Sequence, residues 1–222
     1  MSGLHPHFDS AEFATRAERV RSSLRRLGVD IALFDEIEAM AWVAGYGNSE
    51  NRWRCVGMPV QGEPFFVIRA LDAGPCRQRT WISEVASFRD WEDPLVVLAG
   101  CLGARGLDVA RIGLDFGSYC MPPARLQRLR AALPKAQIVD IGSLISELRL
   151  LKSPAEIALL RRAGAVADEA LLAAASACIP GATQRLAAKV AMAAFVDLDA
   201  DPGPPGPISA SRGWDFLHGN LD

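Results

Sequence analysis

The 222-residue chain has few of the side chains that most often hold metals or carry acid–base chemistry. It contains three histidines, and its five cysteines include no Cys-x-x-Cys pair. An odd set of cysteines without neighbouring histidines is typical of free thiols in a reducing compartment, and it argues against a disulfide framework or a zinc knuckle. The HExxH helix, the phosphate-binding glycine loop and the GxSxG nucleophile elbow are also absent from the sequence.

Excess charge and long apolar segments are lacking as well. The 24 basic and 26 acidic side chains give a formal net charge of −2, so charge supplies no reason to expect nucleic acid or an anionic membrane as a partner. The longest largely apolar run, Ala170–Ile179, is about half the ~20 residues of a membrane-spanning helix. Residues 1–9 lack the apolar core of a signal peptide. We therefore expect a cytoplasmic protein that binds neither nucleic acid nor membrane.

Helical and extended patterns alternate through residues 1–148. Apolar residues at helical spacing follow the capping candidates Asp9 and Ser10 and end at Gly28. Two extended runs around the turn-like residues 61–64 predict an antiparallel hairpin. The further predicted helices are 36–43, 94–106 and 124–133, and the predicted strands are 31–34, 55–60, 65–69, 111–116 and 137–141. This order predicts a mixed α/β sheet covered by helices.

The pattern changes after residue 148. Ser153-Pro154-Ala155-Glu156 is typical of a helix start, with Ser153 as the cap and Glu156 completing a capping box. The predicted helix runs to Ile179, and Thr183 caps a second helix that reaches about Leu198. Two amphipathic helices cannot enclose a core of their own, so residues 149–222 are interpreted as the beginning of a larger domain.

Two places in the sequence are candidates for a functional site. One is the loop Arg52-Trp53-Arg54, which its polar context predicts to be exposed. Arginine can bind a carboxylate through two parallel hydrogen bonds, and tryptophan can form an apolar wall beside it. The other is His218, although a lone histidine is more often structural than catalytic. The acidic residues around Trp91 are interpreted as a solvated turn.

Four motifs in sequence order resemble the creatinase, prolidase and Xaa-Pro aminopeptidase family. They are the passage Glu147–Ile157, Arg161-Arg162-Ala163-Gly164, Pro180-Gly181-Ala182-Thr183, and the stretch Ile208–His218. The resemblance implies an α/β, mixed-sheet, creatinase-like N-terminal domain over residues 1–148. It also implies that residues 149–222 are the opening helices of an incomplete pita-bread α+β catalytic domain.

The resemblance gives roles to three residues. His218 matches the family histidine that precedes the metal ligands and that contacts substrate or assists proton transfer. Arg54 is similar to an arginine that binds the substrate carboxylate, in some members across a dimer interface, and Trp53 is the substrate-binding residue beside it. The neighbouring Arg52 leaves a shifted register open.

The resemblance also implies a cofactor that this chain is not expected to hold. The family centre uses two Asp, one His and two Glu to bind two divalent ions (Mn, Co or Zn), and all five follow the histidine matched by His218. The chain given ends at Asp222. We therefore expect it to hold no metal ion and to lack hydrolase activity.

Three hypotheses for function follow, in order of preference. The first is the N-terminal portion of a metal-dependent hydrolase that forms a homodimer and cleaves a C–N bond in a small peptide or amidine. The second is a non-catalytic ligand-binding or dimerisation protein of the same architecture. The third is a cysteine-based redox enzyme, which the isolated thiols disfavour. Proline-containing peptides, creatine-like amidines and cyclic amidines all remain open as substrates.

Overall fold

The chain divides into two units, Met1–Leu151 and Lys152–Asp222, in a computed structural model that describes residues 8–47 and 52–200. His218 therefore lies outside the described residues, as does the whole stretch 201–222. No described helix is both long and apolar enough to cross a membrane.

The first unit is built on one mixed sheet, as the sequence predicts, and the sheet has six strands rather than the five expected. The strands are β1 (Ile31–Phe34), β2 (Cys55–Pro59), β3 (Phe65–Arg69), β4 (Glu84–Phe88), β5 (Arg111–Leu114) and β6 (Gln137–Asp140). Their order across the sheet is β4-β3-β2-β1-β5-β6. Strand β2 is antiparallel to both of its neighbours, and the other three neighbouring pairs are parallel. Five strands therefore point one way and β2 points the other.

Six helices accompany these strands. They are α1 (Ser10–Leu27), α2 (Ile37–Ala44), α3 (Ala70–Arg79), α4 (Pro94–Gly103), α5 (Pro123–Ala132) and α6 (Leu144–Leu148). Helix α1 begins where the Asp9 carboxylate accepts the backbone N–H of Glu12 at 2.8 Å. It ends at Gly28, whose φ of 62° is the left-handed conformation that glycine adopts without strain.

Hydrophobic clusters cover both faces of the sheet. Side chains alternate along each strand, so β1 sends Ala32 and Phe34 into one cluster and Ile31 and Leu33 into the other. The first cluster includes residues of α1 and α2, and the second includes residues of α4 and α5. Burial on both faces explains why the central strands are continuously apolar rather than alternating.

Three elements differ from the sequence-based expectation, which did not include α3, β4 or α6. Helix α3 contains Pro75 and only two buried residues, Ala73 and Cys76, so its sequence carries a weak helical signal. Strand β4 lies at the edge of the sheet, where it pairs with β3 alone and buries only Phe88 fully. Tertiary packing, rather than local propensity, selects these elements.

The described part of the second unit consists of helices α7 (Pro154–Ala177) and α8 (Gln184–Asp197). The predicted capping box is present, since Ser153 Oγ accepts the N–H of Glu156 at 3.1 Å and the Glu156 carboxylate accepts that of Ser153 at 2.8 Å. The helices contact each other, and their buried residues are small: Ala170, Ala187, Ala188 and Ala191. Large apolar side chains such as Leu171 and Leu172 are exposed within this unit.

Gly57 allows the close packing of the hairpin β2–β3, and its substitution should destabilise the fold. It lies opposite Phe65 in the register, and a Cβ atom at Gly57 would stand 2.4 Å from the Phe65 ring. Phe65 is fully buried and the Arg105 guanidinium lies 4.3 Å from its ring centroid, so neighbouring groups confine the ring. We expect Gly57→Ala to lower the free energy of unfolding by about 1–3 kcal/mol in urea denaturation.

Gly100→Ala is the matched control for this substitution. Gly100 is exposed on α4, and a Cβ atom there would meet nothing within 4 Å. Alanine favours a helix over glycine by roughly 0.5–1 kcal/mol, so this variant should be slightly more stable than the parent. Equal stability of Gly57→Ala and the parent would contradict the packing described here.

Candidate functional site

Three loops meet at one edge of the sheet because of the strand directions. Strands β1, β4 and β5 end at this edge, where they lead into Asp35, the turn 89–93 and the loop 115–121. Strand β2 runs the opposite way, so residues 52–54 enter it from the same edge. In α/β sheets, the carboxyl ends of the strands are the usual place for a binding site.

A cavity of about 800 Å³ opens at this edge. Its wall combines the arginines Arg52, Arg54, Arg125 and Arg128, the acidic residues Asp90, Glu92 and Asp93, and the aromatic residues Trp53, Trp91 and Tyr119. Trp91 and Tyr119 are largely exposed. The cavity thus offers cationic groups for an anion and ring surfaces for an apolar body.

Arg54 differs from the other arginines of the cavity in its hydrogen bonding. It is only 3% exposed, and its Nη1 donates to the Cys120 sulfur at 3.5 Å. Its Nε and Nη2 are buried and have no hydrogen-bond acceptor among the described residues. By contrast, Arg128 pairs with Asp93 at 2.6 Å, and Arg125 donates to a backbone carbonyl. A buried donor without an acceptor costs about 1–3 kcal/mol, so Arg54 lowers the stability of the fold.

A buried carboxylate lies behind Arg54 and connects two of the loops. Asp35 is 4% exposed, and its two oxygens accept the indole N–H of Trp53 at 2.8 Å and the hydroxyl of Ser118 at 2.7 Å. The Ser118 oxygen in turn accepts the backbone N–H of Cys120 at 3.1 Å. The segment before β2 and the loop after β5 are therefore attached to the same side chain.

Burial sets the protonation behaviour of this region. Desolvation raises the pKa of Asp35, although the hydrogen bonds from Trp53 and Ser118 and the charges of Arg54 and Arg125 partly offset it. Burial is also the main cause that raises the pKa of four cysteines, namely Cys55, Cys76, Cys101 and Cys120. Thiols held in the neutral form are poor nucleophiles, which disfavours the redox-enzyme hypothesis.

The structure places two of the three sequence-predicted site residues in the cavity. Arg54 and Trp53 both line it, whereas His218 lies outside the described residues. The expectation that this loop is exposed is wrong for both of them, because Trp53 is 5% exposed and packs into the core beside the buried Arg54. Arg52 alone is exposed, and it donates to the backbone carbonyl of Asp90.

Several residues of the site were missed by the sequence interpretation. The turn around Trp91 is exposed as expected, yet it also forms one wall of the cavity. Asp35, Ser118, Arg125 and Arg128 had no motif to mark them, since they come together only through the sheet. The one usable signal was the position of Asp35, a charged residue directly after a buried apolar strand.

The described residues do not fit the pair of divalent ions that the family resemblance implies. Within residues 8–47 and 52–200, no three His, Cys, Asp or Glu side chains are grouped closely enough to hold a metal ion. Two of the three cavity carboxylates are instead paired with arginines, Asp90 with Arg69 and Asp93 with Arg128, and Glu92 accepts the backbone N–H of Arg89. Nothing in this cavity therefore assigns it a metal.

The raised pKa of Asp35 predicts a pH-dependent contribution to stability. The folded protein should take up this proton at a higher pH than the unfolded chain, in which Asp has a pKa of about 3.9. Stability should therefore be gained as the pH falls through the raised folded pKa. We expect the free energy of unfolding of the parent, relative to Asp35→Asn, to increase between about pH 7 and about pH 4.

Urea denaturation of both proteins across this range measures the effect, and subtracting the variant cancels the other titrating groups. The difference in free energy of unfolding between the parent and Asp35→Asn could instead stay constant or decrease on acidification. Either result would show that the environment of the Asp35 carboxylate does not disfavour its charge.

Comparison with known proteins identifies the family of this chain. The Creatinase/Prolidase N-terminal domain matches residues 16–151. The chain is 30% identical to the ectoine hydrolase of Halomonas elongata in an alignment of 169 positions that covers 72% of this chain and 42% of that protein. It is 28% identical to the Xaa-Pro dipeptidase of Lactobacillus helveticus, covering 76% of this chain and 46% of the relative. The chain thus spans less than half the length of these two relatives.

A solved structure shows the same fold. The Xaa-Pro dipeptidase from Bacillus anthracis aligns with a TM-score of 0.67 at 17% identity, covering 83% of this chain and 49% of that one. The family match includes β1 to β6 and every cavity residue described above. The chain therefore belongs to the creatinase/prolidase family of hydrolases, of which it carries the N-terminal domain.

Proposed function

We propose that this chain binds the carboxylate of a small peptide or amidine substrate through Arg54, as part of a hydrolase that cleaves a C–N bond. One observation carries the proposal: Arg54 presents two buried N–H donors, without acceptors among the described residues, at the wall of a large cavity. A carboxylate supplies two acceptor oxygens at the spacing of such a pair of donors.

A second arginine of the same unit illustrates this binding geometry. Arg69 donates from Nε and from Nη2 to the two oxygens of Asp90, at 2.6 Å each. Nε and Nη2 are the same two atoms that Arg54 leaves without acceptors. The same paired geometry is therefore available at Arg54 to an incoming carboxylate that displaces the groups covering these two nitrogens.

The surroundings of Arg54 favour pairing with an anionic ligand over pairing with an acidic residue of the chain. The acidic residues Asp90 and Asp93 are already paired with other arginines, so they do not compete for Arg54. Burial excludes water from the guanidinium, which strengthens a hydrogen bond to a charged ligand. The exposed rings of Trp91 and Tyr119 offer apolar surface to the rest of the ligand.

The names of the relatives agree with a ligand of this chemistry. Relatives of this chain include an Xaa-Pro dipeptidase, and any dipeptide ends in a free carboxylate. Glycyl-proline is therefore a suitable probe for the chain.

Replacement of Arg54 should separate binding from stability. We expect Arg54→Met to weaken the binding of glycyl-proline by at least about tenfold in isothermal titration calorimetry, because two charge-assisted hydrogen bonds are lost. The same variant should be close to the parent in stability, since the removal of two buried donors without acceptors offsets the loss of the positive charge near Asp35. Arg54→Lys should also bind weakly, because an ammonium group cannot form the paired contact.

Two controls test whether the carboxylate is what Arg54 recognises. Arg77→Met removes the same charge from an exposed position on α3, away from the cavity, and should leave affinity unchanged. Glycyl-prolinamide, which lacks the carboxylate, should bind the parent and Arg54→Met equally weakly. Undiminished binding of glycyl-proline by Arg54→Met would refute the proposal.

Hydrolysis itself is proposed to depend on groups other than the described residues. The family resemblance implies two divalent ions, with His218 nearby to contact substrate or assist proton transfer. Such ions would activate the attacking water. No group of three metal-binding side chains is present in the described ranges.

We accordingly expect the 222-residue chain to release no proline from glycyl-proline, with or without added Mn²⁺, Co²⁺ or Zn²⁺. The Xaa-Pro dipeptidase of Lactobacillus helveticus serves as the positive control. Metal-dependent release of proline by this chain would contradict the expectation.

The coding sequence past codon 222 distinguishes two of the hypotheses. For a substrate-binding half of an enzyme, the reading frame continues into two Asp, one His and two Glu. For a non-catalytic ligand-binding protein, it does not.

A further inference from the structure

The buried carboxylate of Asp35 is connected both to the residue that precedes Arg54 and to the residue that accepts from its guanidinium, although no hydrogen bond joins Asp35 to Arg54 directly. One oxygen accepts the indole N–H of Trp53, the residue next to Arg54 in the chain. The other oxygen accepts the Ser118 hydroxyl, which in turn accepts the backbone N–H of Cys120. The Cys120 sulfur is the acceptor for Nη1 of Arg54.

This chain of hydrogen bonds determines which edge of the guanidinium is left without an acceptor. With Nη1 directed at Cys120, the opposite edge with Nε and Nη2 is the one left for a ligand. If the loop that carries Cys120 were released, the guanidinium could rotate about its side-chain torsions. A freely rotating guanidinium would lose conformational entropy when a ligand binds. A guanidinium that is already fixed loses less, so it binds the ligand more tightly.

Asp35 does not itself line the cavity. Both of its oxygens are occupied by partners from the two loops, and its own side chain is almost fully buried. It therefore acts on a ligand only through other residues.

We propose that Asp35 is a positioning residue, which holds Trp53 and the Ser118–Cys120 segment so that Arg54 presents Nε and Nη2 to a carboxylate. This inference rests on the proposed function of Arg54, and it adds the residue that fixes the binding geometry. The action is through hydrogen bonds: an asparagine at this position can accept the indole N–H and donate to the Ser118 oxygen.

Ser118→Ala is the sharpest test, because Ser118 is buried, lies outside the cavity wall and links Asp35 to Cys120. We expect it to weaken glycyl-proline binding by roughly fivefold to tenfold, the effect of losing about one hydrogen bond. Ser23→Ala removes another buried, hydrogen-bonded serine, on α1, and should leave the affinity unchanged. Near-ultraviolet circular dichroism checks that both variants are folded.

The pair Asp35→Ala and Asp35→Asn provides a second, independent readout. We expect Asp35→Ala to bind at least about tenfold more weakly than the parent, and Asp35→Asn to recover affinity to within about threefold. A residue needed only for folding would not show this recovery in the affinity of the folded protein. If Asp35→Ala does not fold, Ser118→Ala and Asp35→Asn still decide the question.

The outcomes separate this inference from the proposed function. Parent-like affinity of Ser118→Ala, or Asp35→Asn binding as weakly as Asp35→Ala, would overturn the positioning role while Arg54→Met still loses binding. If Arg54→Met itself binds glycyl-proline like the parent, the proposed function fails and the positioning role fails with it.

Discussion

The rest of the site depends on one constraint. The guanidinium of Arg54 is buried, and two of its N–H groups have no acceptor within the described residues. Such a group opposes folding, and Arg54 therefore has to be held in place by its surroundings. Asp35 supplies an opposite charge nearby and two hydrogen bonds to the flanking segments. Local destabilisation of this kind is common at functional sites, where an interaction is reserved for a ligand.

The sheet makes this arrangement possible. Helices cover both of its faces, so its central strands form a rigid, fully buried frame. Reversal of the single strand β2 brings residues 52–54 to the edge at which β1, β4 and β5 end. The sheet therefore holds the side chains of these loops in defined positions. The acidic turn after β4 pairs Asp90 and Asp93 with other arginines, whereas two buried donors of Arg54 have no acceptor among the described residues.

Local signals decided how much of the fold could be predicted from the sequence. The cap at Asp9, the left-handed Gly28 and the capping box at Ser153 each act within a few residues, and all are confirmed. Helix α3 and the edge strand β4 could not be predicted, because packing against β3 stabilises them more than their own residues do. Arg54 was named through family resemblance, and its burial was missed.

The connection between Asp35 and Ser118 spans 83 positions and exists only in the folded sheet, so no sequence pattern could show it. Family membership and the buried arginine are the two observations that support the proposed carboxylate-binding role. The most direct test is a crystal structure of the chain with glycyl-proline. The account predicts the two carboxylate oxygens about 2.7–3.0 Å from Nε and Nη2 of Arg54, with Asp35 still bonded to Trp53 and Ser118. A ligand bound elsewhere, or those two nitrogens turned onto Asp35, would contradict it.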